Sequence, residues 1–266
     1  MPTLEEQFTV FIDLLGFKDA IIEQDEPTIS KLLLFLSDLS MLRGDFLLKS
    51  EGTENVQSTF IRPSITTFSD SIVISYPLQT TYVGLGPDTE FTLVHIMWQV
   101  NFLLTQIAAA ALNIGFLVRG GATVGSLYHA GGVVFGKALI EAYAIEAHDS
   151  KHPRVVLSQE ILRRLTPLDM QTADIIKGDD GLYHFDYFKK LARTAAIPSG
   201  HREKGIDAWI KYVNDTVDQN MTKLENRQRI SERDKWSWFT REFRSGVERS
   251  KTQRTVPFGR AVAFSE

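Results

Sequence analysis

The stretch Phe11-Ile12-Asp13-Leu14-Leu15-Gly16-Phe17 carries the strongest structural signal in the chain. It overlaps the apolar run Phe8–Ile12, which predicts a buried strand. Asp13 comes at the end of that strand, and Gly16 follows at the start of a predicted helix. A carboxylate in this place can hold a hard cation, while the backbone N–H groups of the turn can hold phosphate. This segment alone leaves open a second interpretation, in which Asp13 caps the helix that begins at Leu14.

A second acidic segment, Thr66–Ile74, predicts a hairpin. Ser69-Asp70-Ser71 interrupts two runs that are rich in β-branched residues, and Asp70 by itself is an ordinary turn aspartate. A strand-end aspartate followed by a helix and then a hairpin aspartate places two carboxylates on an adjacent strand pair. Two Mg²⁺ or Mn²⁺ ions held about 3.5–4 Å apart serve phosphoryl transfer. Magnesium favours a few carboxylates together with substrate phosphates, and this pair offers that set.

Composition limits the classes of protein and of site. The chain has 266 residues and a mass of 30.0 kDa, with 43% hydrophobic and 23% charged residues, as in ordinary globular proteins. It has no cysteine, which excludes disulfide frameworks, thiolate zinc sites and cysteine nucleophiles. The net charge of −4 and the pI near 5.9 argue against a surface that binds nucleic acid.

The chain divides near residue 190. Alternating strand and helix patterns run up to this point, and we predict a first domain over 1–190 and a helical C-terminal extension over 191–266. Pro198-Ser199-Gly200 predicts the linker. Residues 221–254 hold ten basic and five acidic side chains, which indicates a solvated helix face or, alternatively, a face turned toward phosphate or a partner.

One long stretch without formal charge needs a membrane interpretation. Residues 91–118 could span a bilayer by length, but they contain several polar side chains and a helix stop at Asn113-Ile114-Gly115. We therefore predict a buried helix, about 90–112, and no membrane span. The N-terminus carries Glu5 and Glu6 in place of the basic region of a signal peptide, so we expect a cytoplasmic protein.

The ordered set of motifs resembles one enzyme family. The motifs are FIDLLGF, FSDSIVIS, VRGGATVGSLY, GVVFGKALIEAYAIE and RVVLS. Over residues 7–188 they resemble the class III nucleotidyl cyclase catalytic domain, and more closely the stand-alone bacterial pyrimidine cyclases of the Pycsar anti-phage system. The resemblance implies an α+β, ferredoxin-like domain that works as a head-to-tail homodimer with shared active sites. It also implies conversion of a nucleoside triphosphate to a 3′,5′-cyclic monophosphate and pyrophosphate.

The resemblance also implies roles for individual residues. Asp13 and Asp70 match the aspartates that hold two Mn²⁺ or Mg²⁺ ions. Arg119 matches an arginine that reaches the phosphates, and Lys177 is a looser match to a phosphate-contacting lysine. Arg119 and the segment 133–144 are expected to face Asp13 and Asp70 of the partner chain. The triphosphate would contact the backbone of Leu14, Leu15, Gly16 and Phe17.

Several positions depart from the purine cyclases. Thr66 and Val133 occupy the two positions at which those enzymes have a polar pair that recognises the base. These two side chains suit a smaller base. We therefore expect UTP, or else CTP, as the substrate; the alternatives are a purine cyclase and a non-catalytic nucleotide-binding relative.

The transition-state Asn and Arg of the family fall on Ile140 and Ala144. The nearest polar residues on that helix are Lys137 and Tyr143, and Tyr143 is either a site residue or a core or interface aromatic. His129 and His148 are interpreted as loop or helix-end residues.

Overall fold

The computed structural model describes residues 3–23, 25–41, 63–78, 93–192, 205–227 and 229–252. The apolar pair Phe60–Ile61, whose pattern predicts a strand, and the predicted linker at Pro198–Gly200 lie outside these residues. The strands are β1 Glu5–Leu15, β2 Ser64–Phe68, β3 Ser71–Pro77, β4 Leu117–Ala130, β5 Val133–Phe135, β6 Val155–Leu157, β7 Ile175–Lys177 and β8 Tyr183–Phe185. The helices are α1 Phe17–Ile22, α2 Glu26–Met41, α3 Leu93–Asn113, α4 Lys137–His148, α5 Gln159–Arg163, α6 Pro167–Thr172, α7 Tyr187–Leu191, α8 Gly205–Asn226 and α9 Ile230–Thr252.

The strands form one mixed sheet with the order β2-β3-β1-β4-β6-β8-β7, and β5 pairs with β4. The pairs β2–β3, β3–β1 and β1–β4 are antiparallel, and β6 runs parallel to β4. The first four strands and the helices between them therefore follow the βαββαβ path with the order 4-1-3-2, which is the ferredoxin-like arrangement. The predicted α+β, ferredoxin-like fold is confirmed by this topology.

Alternation along β1 gives the sheet two different faces. Phe8, Val10, Ile12 and Leu14 are buried in the main core, on the face that we call the covered face. Phe11 belongs to a separate small cluster and Asp13 is partly exposed; both lie on the opposite face, which we call the open face.

The covered face carries most of the helices. The long helix α3 packs there, with side chains such as Ile96, Val100 and Leu104 fully buried. Its length and composition would allow it to cross a membrane, but more than half of it is buried inside the structure. The predicted buried helix is confirmed at this place, and the absence of a membrane span stays a prediction.

The two C-terminal helices join the same core. Trp209 of α8 and Phe239 and Phe243 of α9 are buried in it together with residues of α3 and α7. Helical structure in the C-terminal part is thus confirmed for the described residues. The division into two domains at residue 190 stays a prediction.

The open face is covered in part by α4, which packs over β4 and β1. Gly121 allows this close approach, because a Cβ atom there would lie 2.3 Å from the carbonyl oxygen of Ala142. At the edge of this face, Phe68 and Tyr143 remain about half exposed, at 47% and 54%. The open face is therefore accessible next to Asp13.

Some elements differ from the sequence-based prediction. Apolar residues recur at helical spacing from Ile21 to Lys49, and this pattern predicts one helix; the described part instead forms α1 and α2 with a break before Glu26. Asp25 explains the break, because its carboxylate accepts hydrogen bonds from the backbone N–H and the hydroxyl of Thr28 and so starts a new helix. The alternating run Leu182–Phe188 predicts a last strand, and the structure has the shorter β8 at this place; no pattern predicted β7.

Candidate active site

Asp13 lies where β1 ends on the open face. It is opposite Arg119 of β4 and Ser71 of β3. Gly16 then turns the chain with φ +104° and is itself the N-cap of α1. A left-handed φ of this kind favours glycine. The interpretation of Asp13 as a helix cap is therefore wrong, and its carboxylate is available for other contacts.

Asp70 is held against the same end of β1. It lies in the two-residue turn between β2 and β3, so the predicted hairpin is confirmed. The backbone carbonyl of Asp70 accepts a 3.0 Å hydrogen bond from the N–H of Leu14. The structure thus brings the two predicted aspartates together at one corner of the sheet.

Arg119 bridges two carboxylates of its own chain. Its Nη2 atom lies 3.2 Å from Oδ2 of Asp13, and it also forms an ion pair with Glu146 of α4. The expectation that Arg119 faces the carboxylates of a partner chain is wrong in this respect. The reason is that β1 and β4 are adjacent strands, and their register puts Asp13 and Arg119 directly opposite each other.

Glu146 is a site residue that the sequence analysis missed. Its side chain is only 5% exposed, and its Oε1 atom is buried without a hydrogen bond of normal geometry. The signal was available in the helical spacing, since Ala138, Ala142 and Ile145 form the buried face of α4 and Glu146 extends that face. A buried carboxylate on an apolar helix face indicates either a partner or a function.

The carboxylates of this corner have perturbed proton affinities. Burial raises the pKa of Asp13; Arg119 opposes this change, and Asp70 adds to it. Burial likewise raises the pKa of Glu146, again against Arg119, and the charges of Asp13 and Asp70 add to it. Three carboxylates and the Arg119 guanidinium leave two formal negative charges in a small volume, and Lys235 of α9 offsets them only weakly, as the smallest of the influences on the pKa of Asp13. A further cation would relieve this repulsion.

Asp13 and Asp70 have the chemistry of a magnesium or manganese site, and the excess negative charge beside them fits a divalent cation. Within the described residues, no group of three or more His, Asp or Glu side chains is arranged to hold a metal by itself. A site of two carboxylates completed by substrate phosphates is the usual arrangement for Mg²⁺. The two aspartates therefore fit the expected ions only together with a phosphate-bearing substrate.

Thr66 takes part in a hydrogen-bonded chain across the open face. Its hydroxyl lies 2.9 Å from Nε2 of His129, and Nδ1 of the same ring lies 2.8 Å from the hydroxyl of Ser75. His129 lies within β4 and is 7% exposed, so its interpretation as a loop residue without a partner is wrong. Burial lowers the pKa of His129 to about 4, which keeps the ring neutral. His148 ends α4, as expected.

An aromatic group separates the acidic corner from Thr66. Phe11 packs edge-on against Tyr143, with ring centroids 5.3 Å apart, and lies 6.3 Å from Phe68. Thr66 and Phe11 both lie opposite Val73, so they share one row across three strands. Strand spacing and rise then put the Cα atoms of Asp13 and Thr66 about 12 Å apart. This is the span of a nucleotide from its phosphates to its base.

The remaining predicted residues lie at different distances from this corner. The backbone of Leu14, Leu15, Gly16 and Phe17 forms the turn beside Asp13. Val133 is exposed on β5, which pairs with β4 next to His129. Lys177 is exposed on β7, at the far edge of the sheet and four strands from β1, or about 19 Å. Within one chain, Lys177 is therefore not part of the site.

Comparisons with known proteins give a distant structural neighbour. No protein family model matches the chain, and no curated protein matches it. Among solved structures, the chain is similar to the catalytic core of a rhodopsin-guanylyl cyclase with converted specificity in complex with ATPαS. The identity is 14%, the match covers 68% of this chain and 95% of that chain, and the TM-score is 0.38. At this distance, the assignment of the site depends on the residues of this chain.

Proposed function

We propose that this chain is a nucleotidyl cyclase that converts UTP, or CTP, to the 3′,5′-cyclic monophosphate and pyrophosphate. The observation that carries the proposal is the acidic corner of the open face. There, Asp13 and Asp70 lie together beside the Gly16 turn, about one nucleotide length from Thr66. The ordered motifs that resemble class III cyclases support the same assignment.

Each residue of the corner has a distinct task in this reaction. The ribose 3′-oxygen attacks the α-phosphorus, and the bond from that phosphorus to the leaving pyrophosphate breaks. Divalent ions, when bound, lower the pKa of the 3′-hydroxyl and neutralise the phosphates. Asp13 and Asp70 would hold them. Arg119 would supply a fixed positive charge near the phosphates, and its ion pair with Glu146 would hold it there if Asp13 bound a metal.

Incubation of the purified chain with Mn²⁺ or Mg²⁺ and each of the four NTPs tests the activity. We expect a cyclic pyrimidine nucleotide, identified by mass spectrometry, and loss of the product with EDTA. Asp70→Ala should give none, whereas Asp218→Ala, which removes an exposed aspartate of α8, should match the wild type. The absence of any cyclic product under all metal conditions would contradict the proposal.

The preference for a pyrimidine follows from what the open face offers the base. A purine needs polar partners for its Watson–Crick edge, and Val133 provides none. Each buried polar group left unpaired costs about 1–3 kcal/mol. Thr66 provides one hydroxyl, which matches the smaller edge of a pyrimidine. Cyclic AMP or cyclic GMP as the main product would overturn this part of the proposal.

We also propose a homodimer with shared sites. Four exposed apolar side chains lie on β5 and α4, beside the open face, and a partner would bury them; they are Val133, Phe135, Ile140 and Tyr143. Ile140 occupies a position where the family places a polar group, and it is 70% exposed. A second chain could also bring its Lys177 to the acidic corner.

Subunit mixing tests the shared site. Chains with Asp70→Ala and chains with Lys177→Ala should each be inactive or weak alone, and their heterodimers should regain activity because one of the two sites is then complete. Mixing Asp70→Ala with Arg119→Ala should not restore activity, because those two residues belong to the same corner of one chain. Equal restoration in both mixtures would contradict this arrangement.

The biological role that we propose is synthesis of a second messenger in anti-phage defence, in the cytoplasm. It follows from the resemblance to the Pycsar cyclases. Cells that carry the wild-type gene with its neighbouring genes should survive phage challenge better than cells that carry the Asp70→Ala variant. Equal survival would count against this role without affecting the enzymatic proposal.

A specific observation favours a second candidate, a non-catalytic nucleotide-binding protein. Asp13 is ion-paired with Arg119, and Ile140 and Ala144 offer no polar group where the family has two. Such a protein would bind a nucleoside triphosphate and release it unchanged. Calorimetric binding without a cyclic product would favour this candidate.

A further inference from the structure

The open face contains a chain of three hydrogen-bonded side chains, which we call the relay: Ser75 of β3, His129 of β4 and Thr66 of β2. Ser75 is fully buried, His129 is nearly so, and Thr66 is half-buried at the open end. The relay thus leads from the interior of the sheet to the surface where the proposed base would lie.

At the inner end of the relay, the contact with Ser75 determines which ring nitrogen of His129 carries the proton. In the part of the chain that the structure describes, the Ser75 hydroxyl has one hydrogen-bond partner, Nδ1 of His129. A hydroxyl carries a single proton. If Nδ1 carried the ring proton, the proton of Ser75 would be buried without an acceptor, which is unfavourable. Ser75 therefore donates to Nδ1, and the neutral ring carries its proton on Nε2.

The proton on Nε2 determines what Thr66 can do. Nε2–H donates to the hydroxyl oxygen of Thr66, so Thr66 does not need its own proton for this contact. The Thr66 hydroxyl can then donate toward the open face, where this residue is partly exposed. The proton of this hydroxyl matches a carbonyl in the same place. An amino group can bind only the one remaining lone pair of the hydroxyl oxygen, and the proton must then turn away from the base, where the described residues offer it no acceptor.

We propose that the relay fixes Thr66 as a hydrogen-bond donor and thereby makes the site select uracil, with its 4-carbonyl group, over cytosine, with its 4-amino group. The ligand class, a pyrimidine nucleoside triphosphate, rests on the proposed function. Thr66 is the residue that touches the base. Ser75 and His129 are positioning residues that act through Thr66.

Equilibrium binding separates this proposal from the proposal of catalysis. The full chain is titrated by calorimetry, with Mn²⁺ present, against the α,β-methylene analogues of UTP and CTP, which cannot release pyrophosphate. We expect the UTP analogue to bind about tenfold more tightly, the factor that corresponds to about 1.4 kcal/mol. Turnover of UTP and CTP is measured in parallel.

Variants show whether the preference comes from the relay. Ser75→Ala should bring the ratio of the two affinities toward one while both analogues still bind, because the ring proton is no longer fixed. Thr66→Val should do the same, and Thr66→Ser should keep the preference. In the double variant, Ser75→Ala should add nothing to Thr66→Val. Thr67→Val is the matched control, since Thr67 is the next residue of β2 and points to the other face.

Each outcome tests one proposal. Equal affinities in the wild type, a preference for the CTP analogue, binding of neither analogue, or an unchanged ratio in Ser75→Ala would overturn the relay. A uniform loss of affinity for both analogues in Ser75→Ala would also overturn it, because that result indicates a structural role. A retained preference for the UTP analogue without turnover would overturn the cyclase and leave the relay standing.

Discussion

The two faces of the central sheet contain very different side chains. The covered face is closed by α3, α8 and α9, whose large apolar side chains, such as Trp209 and Phe243, are buried. The open face carries the acidic corner with Arg119, the relay of three polar side chains, and a small aromatic cluster around Phe11. One strand, β1, serves both faces through alternate residues.

The difference shows which face has residues determined by packing and which face has residues determined by function. Apolar burial on the covered face stabilises the fold by about 25 cal/mol for each Å² removed from water. The open face instead buries the ion pair of Arg119 with Glu146, and buried charges stabilise a fold less well than apolar packing does. Such arrangements are expected mainly at functional sites. We therefore expect substitutions on the two faces to have opposite effects on stability and activity.

The largest expected effect is loss of turnover on the open face. Asp13→Asn or Asp70→Asn removes a carboxylate that we propose to hold a metal, and with it several kcal/mol of transition-state stabilisation, so kcat should fall about a thousandfold or more. The melting temperature should stay near that of the wild type, because both side chains are partly exposed. Steady-state kinetics and a thermal melt check this. Near-normal turnover in either variant would contradict the assignment of function to the open face.

The covered face should respond in the opposite way. Phe243→Ala removes a ring that is 1% exposed, and it should lower the free energy of unfolding by about 3–5 kcal/mol. The ratio of UTP to CTP turnover should not change at temperatures where the variant is folded. Urea unfolding together with competition assays measures both quantities. A change in base preference without loss of stability would show that the C-terminal helices contribute to the site.

Two buried histidines make the stability of the fold depend on pH. Burial lowers the pKa of His129 on the open face and of His184 beside Trp238 to about 4 each. The unfolded chain takes up a proton on each ring below about pH 6.5, so stability is lost as the pH falls from 6.5 toward 4. The loss amounts to up to about 3 kcal/mol for each ring.

His129→Gln and His184→Gln should each reduce this pH-dependent loss by a similar amount. Only His129→Gln should also change the preference for UTP over CTP. His148→Gln, at the exposed end of α4, serves as the control. Denaturant unfolding between pH 4 and pH 7 measures the slopes. An unchanged slope in His129→Gln would contradict the assignment of a buried neutral ring.

The smallest expected effect concerns the contact of α4 with the sheet. Gly121→Ala places a Cβ atom 2.3 Å from the carbonyl oxygen of Ala142, so α4 must shift, at a cost of about 1–3 kcal/mol. Gly125→Ala is the matched control, because its nearest contact would be an ordinary 3.5 Å. Activity should fall in the first variant only, because α4 carries Glu146. Equal stability of the two variants would show that α4 is not held by this close approach.

The sequence predicted the elements that local patterns determine. The apolar run of β1, the hairpin around Asp70 and the long helix α3 were all found, and motif order led to the ferredoxin-like topology. Asp13 and Asp70 were placed together correctly, because strand pairing follows from that topology. The split of the first helix region into α1 and α2 depends on one cap at Asp25 and was missed.

Contacts between distant segments could not be predicted in the same way. The ion pair of Arg119 with Asp13 depends on the register of β1 and β4, and the relay joins residues that are up to 63 positions apart. Neither register nor side-chain direction is determined by a local pattern. The packing of α8 and α9 into the core likewise depends on tertiary contacts that a basic helix pattern does not indicate.

The central claim is that the open face binds the nucleotide. A crystal structure of the full chain with Mn²⁺ and the α,β-methylene analogue of UTP tests it most directly. We predict the triphosphate beside the Gly16 turn, metal on Asp13 and Asp70, and the 4-carbonyl oxygen of uracil within hydrogen-bond distance of the Thr66 hydroxyl. A nucleotide bound elsewhere on the molecule, with Asp13 and Asp70 free of metal, would contradict the account.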